Sequence, residues 1–295
     1  LDSDVFHPMS NDELLSNDFI NFKLSILGNK NPKFVVFFNS RNIRRKQIPD
    51  TLLAFRYFLD KLPKEKANDC VLLLHTEAVS EHGTDLLAVR ELLFEGFENN
   101  VIIHSDKLTP QHMSYLYNMS DTQILMSSNE GWGLSLTEAI LCGIPIIANV
   151  TGGMQDQMRF EDENGDWFTP DANIPSNHTG RYKKHGKWAF PLFPTNRSIQ
   201  GSPKTPYIWD DRCSAEDAAE QIMNVYKLSD TERKVIGEAG REWALNEAGF
   251  TSKGQSTRII EAFDTLFNTW IPRKNYEFIN VNEIKNKVVP HKLLY

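Results

Sequence analysis

The chain has 295 residues, 40% of them hydrophobic and 24% charged, which is ample for a sizeable buried core in one large domain or two small ones. A formal net charge of -7 argues against a general nucleic-acid binder, which needs excess Lys and Arg to neutralise phosphates. Cys70, Cys142 and Cys213 lie far apart with no Cys-x-x-Cys or Cys/His ligand spacing, so they read as free thiols of a reducing compartment and not as a zinc site. No apolar run approaches the roughly 20 residues that span a bilayer, and the start lacks the basic and apolar regions of a secretion signal. These features predict a soluble, cytoplasmic protein with no transmembrane segment.

The first 30 residues are polar and mixed, with a short helix expected from Asp12 to Leu27. Phe34 to Phe38 is a continuous apolar run, the pattern of a strand buried on both faces of a parallel sheet. After it come Arg41, Arg44, Arg45 and Lys46, then a helix opened near Pro49 with an apolar stripe of Leu52, Leu53, Phe55 and Phe58. Strand and helix alternate again at Val71 to His75 with Asp85 to Phe94, and at Val101 to His104 with a helix opened by Thr109-Pro110. That second helix turns Met113, Leu116 and Tyr117 inward. A strand from Gln123 to Ser127, a helix from Leu134 to Gly143 and a strand from Ile144 to Asn149 complete the series. Such alternation calls for right-handed crossovers and a Rossmann-like, three-layer α/β fold with helices on both faces of a parallel sheet. Ligands in these sheets sit at the carboxyl ends of the strands, where Arg41, His75, His104, Glu130 and Gly152 are expected to gather around one nucleotide-sized cleft.

Asn129 to Gly153 is the most informative stretch. Gly131-Trp132-Gly133 separates Glu130 from a helix start at Leu134 and Ser135, with Glu138 more than a turn further on. Two glycines let the backbone approach a ligand closely, and the free amides of a helix start favour phosphate. Ionised carboxylates accept hydrogen bonds, which suits the hydroxyls of sugars and riboses. Other chemistries fit less well. The third glycine of a dinucleotide fingerprint is replaced by Leu136, no Gly-x-x-x-x-Gly-Lys-Ser/Thr loop exists, and Ser135 lacks the second glycine of a nucleophile elbow.

Glu130 and Glu138 with seven residues between them, followed by Ala139, Gly143, Pro145 and Gly152-Gly153, resemble the Glu-x7-Glu signature of retaining glycosyltransferase family 4 and its GT-B relatives. Leu1 to Pro8 resembles the segment that leads into the C-terminal domain of that family, and Arg41 with Lys46 resembles its basic pair after the first strand. The likeness covers residues 1 to 170 well, the helices from Ser214 onward loosely, and not Asp171 to Arg212. It implies the C-terminal, donor-binding half of a GT-B enzyme that takes a nucleoside-diphosphate sugar with no metal or other cofactor. By resemblance Glu138 holds the ribose and Glu130 the transferred sugar, while Arg41, Lys46 and the amides from Gly133 through Leu134 to Ser135 meet the diphosphate, with Gly131 and Trp132 also expected in the donor site. His104, Ser105 and Lys107 then border the base. An N-terminal acceptor domain is expected in the full protein, and the acceptor is left open. Two other readings remain, a non-catalytic nucleotide-sugar-binding module and a GT-B epimerase or phosphorylase.

Past Gly153 the pattern weakens. Asp156 to Phe160 is expected as a short helix and Asn164-Gly165-Asp166 as a turn. Residues 171–212 are rich in Pro, Gly, Asn and Ser, with Trp188, Phe190, Phe193, Tyr207 and Trp209 interspersed, and read as an inserted, packed loop. The cluster Arg181, Lys183, Lys184, His185 and Lys187 reads as a solvated loop. Ser214 to Leu228, Asp230 to Asn246 and Ser252 to Trp270 read as helices, with capping-box spacing at Ser229/Glu232 and Ser252/Gln255. The expected division is a donor domain over 1–270, including the insertion at 171–212, and a tail over 271–295.

Overall fold

The computed structural model describes residues 1–168 and 176–272. The expected tail lies almost wholly outside the described residues, as do the first residues of the expected insertion. The chain divides into two compact units, Leu1–Gln255 and Ser256–Tyr295.

The first unit opens with α1 (Asn11–Leu14) and α2 (Asn17–Leu27). The single helix expected there is broken because Ser10 and Ser16 each cap a helix start. The Ser16 hydroxyl accepts from the Phe19 amide at 3.2 Å. Next come β1 (Phe34–Asn39), α3 (Ile48–Asp60), α4 (Lys64–Asn68), β2 (Cys70–His75), α5 (Leu86–Leu93), β3 (Val101–His104), α6 (Pro110–Asn118), β4 (Thr122–Leu125), α7 (Leu134–Leu141) and β5 (Ile146–Asn149). All these strands are parallel. Phe34 pairs with Cys70, Leu72 with Val101, Val36 with Thr122 and Gln123 with Ile146. Phe34 through Phe38 are buried, as a strand covered by helices on both faces requires. This is the Rossmann-like fold expected from the sequence.

The sheet has a sixth strand, and here the packed-loop reading of 171–212 is corrected. β6 (Ala189–Leu192) pairs in parallel with β5, giving the order β3-β2-β1-β4-β5-β6. Its four residues include Pro191, which a sheet tolerates on an edge strand because proline has no amide to donate inward. Trp188 is buried just before β6. Its indole donates to the Gln157 carbonyl at 3.1 Å and stacks on Trp243 at 4.9 Å. β7 (Asn196–Ser202) and β8 (Thr205–Arg212) form an antiparallel hairpin. The five aromatics therefore divide: Trp188, Phe190 and Phe193 pack on the core, while Tyr207 and Trp209 ride on the hairpin, Tyr207 being 65% exposed. The expected helix at Asp156 to Phe160 is instead a 3-10 turn over Gly152–Met158.

α8 (Ala215–Lys227) and α9 (Asp230–Asn246) follow, with Ser229 and Glu232 forming the expected capping box. α10 (Ser252–Thr269) begins in the first unit. The described part of the second unit is the rest of this helix and the residues to 272. Its Ile259, Ile260, Phe263, Leu266 and Phe267 recur at helical spacing, with Phe263 stacked on Phe267 at 6.3 Å. Among the described residues no helix is long and apolar enough to cross a membrane.

Candidate functional site

The carboxyl ends of β1, β2, β3 and β4 open into a cleft of about 600 Å³. Its walls are the segment after β1, the ends of β2 and β3, and the turn that leads into α7. Placement follows from topology, since each βα connection leaves the sheet on this edge.

The turn after β4 carries the central group. Glu130 is only 7% exposed, and its carboxylate is gripped from the loop after β1. Lys46 contacts one carboxylate oxygen and Arg45 lies 2.9 Å from the other. The Arg45 guanidinium also donates to the Asn129 carbonyl at 2.6 Å. Burial opposes ionisation of Glu130, but hydrogen bonds and charge from Lys46 and Arg45 outweigh it and hold the carboxyl below its usual range. Burial pushes Lys46 down from its ordinary value, while Glu130 pulls the other way.

The backbone behind Glu130 explains Gly152 and Gly153. The Gly153 amide donates to the Glu130 carbonyl at 3.1 Å. Gly152 has φ +51°, and a Cβ there would stand 2.0 Å from the same carbonyl oxygen. Gly152 therefore fixes Glu130 from behind and does not line the cleft, contrary to its expected place in the ligand cluster.

Gly133 precedes α7 with φ +87°, a left-handed conformation that lets the chain turn sharply into the helix. No side chain caps the helix start. The amides of Leu134 and Ser135 thus lack the intrahelical partner that later residues have, and both residues line the cleft beside Trp132 and Gly133. The Trp132 indole is held by a 2.9 Å bond to the Thr137 hydroxyl and an edge contact with Phe250.

One turn into α7, Glu138 lines the same cleft. Its Oε2 accepts from the Tyr117 hydroxyl at 2.6 Å and from the Asn39 amide at 3.4 Å, and among the described residues Oε1 accepts no hydrogen bond. Burial raises the Glu138 carboxyl above its usual value, and these two donors oppose the rise. Tyr117 is itself pushed well above the ordinary phenol by burial and by Glu138, so it remains a donor.

Of the residues expected to bind a donor, Arg41, Lys46, Trp132, Gly133, Leu134, Ser135, Glu138, Ser105 and Lys107 line the cleft together with Glu130. Gly131 and His104 do not. Gly131 faces a neighbouring cleft. His104 stands behind His75, the two rings stacked with their Nδ1 atoms 3.1 Å apart, and His75 is the one that reaches the cleft. Burial and the neighbouring ring lower His75 to about 4. Asn39, Thr76, Glu77 and Asp106 also line the cleft, and Tyr117 and Arg45 act through the two glutamates. Asn39 had a signal, being the last residue of a buried strand at the ligand edge. Tyr117 had none, because its inward position reads as core. Among the described residues no group of three or more His, Cys, Asp or Glu could hold a metal ion.

The family model of glycosyl transferases group 1 matches residues 19–174, more than half of the chain. The chain belongs to this family. It is similar to an uncharacterized glycosyltransferase of Methanocaldococcus jannaschii, at 26% identity over 216 residues that cover 71% of this chain and 48% of that one. The C-terminal domain of a group 1 glycosyl transferase from Francisella tularensis has the same fold, with a TM-score of 0.56 and 15% identity over 84% of this chain and 98% of that domain. Anabaena HepE, solved in complex with UDP and glucose, matches with a TM-score of 0.58 and 17% identity over 90% of this chain and 55% of its own. This group 1 chain thus spans about half the length of the curated relative and of HepE.

Proposed function

We propose that this chain is the donor-binding half of a retaining glycosyltransferase and takes a nucleoside-diphosphate sugar without a metal ion. The observation that carries the reading is the convergence in one cleft of an ionised, buried Glu130, an uncapped helix start, and the cations Arg41 and Lys46. The complexes of HepE with UDP and glucose and with UDP-glucose support the choice of ligand class.

The chemistry follows from where charge develops. As the bond from the anomeric carbon to the β-phosphate oxygen breaks, negative charge grows on the diphosphate and the sugar becomes oxocarbenium-like. Arg41, Lys46 and the amides of Leu134 and Ser135 stabilise the departing diphosphate, the task a metal would otherwise perform. Glu138 accepts from the ribose hydroxyls through Oε1. Glu130, kept ionised by Arg45 and Lys46, accepts from hydroxyls of the transferred sugar. The acceptor hydroxyl attacks from the face the diphosphate leaves, its oxygen bonding to the anomeric carbon while its proton passes to the departing phosphate oxygen. Configuration is thereby retained, and Glu130 forms no covalent bond to the sugar.

Calorimetric titration with UDP in the presence of a chelator tests the reading. Binding should persist, and Arg41→Lys should weaken it because a point ammonium cannot reproduce a two-pronged guanidinium contact. Affinity that vanishes with the divalent ion would refute the metal-free account.

A further inference from the structure

Beside the two glutamates, the cleft holds a histidine to which the donor reading gives no task. β2 and β3 end in register at His75 and His104, so the two rings stack at the end of the cleft expected to border the base. The backbone there is fixed across the two strands. The Thr76 amide donates to the His104 carbonyl at 3.0 Å, and the Ser105 hydroxyl donates to the Thr76 carbonyl at 3.0 Å. His75, Ser105, Asp106 and Lys107 thus form one wall of the cleft.

The surroundings decide where the protons of the pair sit. Burial pushes both imidazoles below their ordinary value, so each ring carries one proton at neutral pH. With the Nδ1 atoms 3.1 Å apart, one of them donates and the other accepts. The Asp106 carboxylate stands 3.7 Å from Nε2 of His104 and opposes the downward shift of that ring. A carboxylate favours the proton on the nitrogen it faces, so His104 carries its proton on Nε2, and its Nδ1 accepts from Nδ1–H of His75. Nε2 of His75, the ring that lines the cleft, is then a bare lone pair, and it makes no hydrogen bond among the described residues.

A neutral acceptor nitrogen on the same wall as Lys107, whose ammonium only donates, sets a pattern for the base edge. Uracil N3–H beside O4, and guanine N1–H beside O6, offer a donor next to a carbonyl. Cytosine and adenine offer the reverse, a bare ring nitrogen next to an amine. That edge would set lone pair against lone pair at His75 and amine against ammonium at Lys107.

We propose that His75 reads the base: its Nε2 accepts from the ring N–H of a lactam-edged nucleobase, uracil or guanine, while Lys107 donates to the adjacent carbonyl. His104 and Asp106 are positioning residues that hold the tautomer. The assignment rests on the donor reading above and deepens it by naming the class of base.

The test titrates the full chain with UDP, CDP, GDP, ADP and pyrophosphate, and reads the histidine tautomers from two-bond proton–nitrogen NMR spectra. UDP and CDP differ only at the edge in question. UDP should bind about tenfold more tightly than CDP, and GDP more tightly than ADP by a similar factor; the tighter of UDP and GDP names the base. The spectra of the free protein should place the His75 proton on Nδ1 and the His104 proton on Nε2. His75→Phe keeps a stacked ring without the acceptor and should bring the UDP-to-CDP ratio close to one. Asp106→Asn, at an exposed position, should move the His75 proton toward Nε2 and lower the same ratio. Pyrophosphate carries no base and checks the diphosphate end in each variant; if His75→Phe loses it, Asp106→Asn decides. Equal affinities within both pairs in the wild type, a proton on Nε2 of His75, or wild-type ratios in both variants would overturn the proposal. A wild type that binds pyrophosphate but shows no base preference refutes the base assignment alone, whereas binding of none of these ligands refutes the donor reading and the base assignment with it.

Discussion

Removing Lys46 should convert the buried ion pair into a pH-dependent defect. Lys46→Met keeps most of the side-chain volume but takes away one of the two cations on Glu130, whose carboxylate is 7% exposed. Removing one partner of a buried pair costs about 3–5 kcal/mol, and the lower end, about 3 kcal/mol, applies because Arg45 still contacts the carboxylate. In urea, with a slope of about 3 kcal/mol/M, the unfolding midpoint should fall by roughly 1 M at neutral pH. The pH dependence follows from linkage. Lys46 and Arg45 depress the folded-state value of Glu130 below the usual 4.5, so the stability this group contributes is present above the unfolded value and lost as pH falls through the folded one. Loss of Lys46 raises the folded value, shrinking that contribution. The deficit of Lys46→Met against wild type should therefore be largest near neutral pH and diminish below about pH 4.5. A deficit equal at neutral and acidic pH would show that the cost is packing and would refute the ion-pair account.

Three further outcomes are expected. Gly152→Ala places a methyl 2.0 Å from the Glu130 carbonyl oxygen at φ +51°, so it should cost about 3 kcal/mol in unfolding experiments and weaken nucleotide-sugar binding; wild-type stability would contradict the close approach. The His75 ring should stay neutral until pH falls to about 4, read from its imidazole NMR signals, and a midpoint near the ordinary 6.5 would mean that the stacked pair with His104 is open in solution. Tyr117→Phe leaves Glu138 without its 2.6 Å donor and should weaken UDP binding several-fold while leaving sugar discrimination unchanged; an unaltered UDP affinity would show that the phenol does not position the carboxylate.

The sheet was legible where burial on both faces wrote an uninterrupted apolar run. Phe34 to Phe38 and Val71 to His75 are of this kind. The sixth strand was not, because Ala189–Leu192 is four residues with an interior proline, and only pairing with β5 makes it a strand. The hairpin was hidden for a different reason. Its inner face meets the Glu130 turn through polar groups such as Asn129 and Asp211, which leaves no apolar alternation to read. At the site, the glutamate spacing and the glycine turn located the cleft. Which cation meets Glu130 depended on the 3-10 turn at Arg44–Lys46, which brings both Arg45 and Lys46 onto the carboxylate, while Arg41 lines the cleft without reaching it. His104 was expected at the base and lies behind His75 because the last residues of β2 and β3 pair in register.

The central claim is the division of labour between the two glutamates, and paired titrations with UDP and UDP-glucose test it most directly. Charge-assisted hydrogen bonds contribute about 1.5–3 kcal/mol, so each loss should be about tenfold or more. Glu138→Gln should weaken UDP and UDP-glucose alike, whereas Glu130→Gln should leave UDP at wild-type affinity and weaken only UDP-glucose. Equal losses of UDP affinity in both variants would contradict the account, since Glu130 would then be serving the nucleotide and not the sugar.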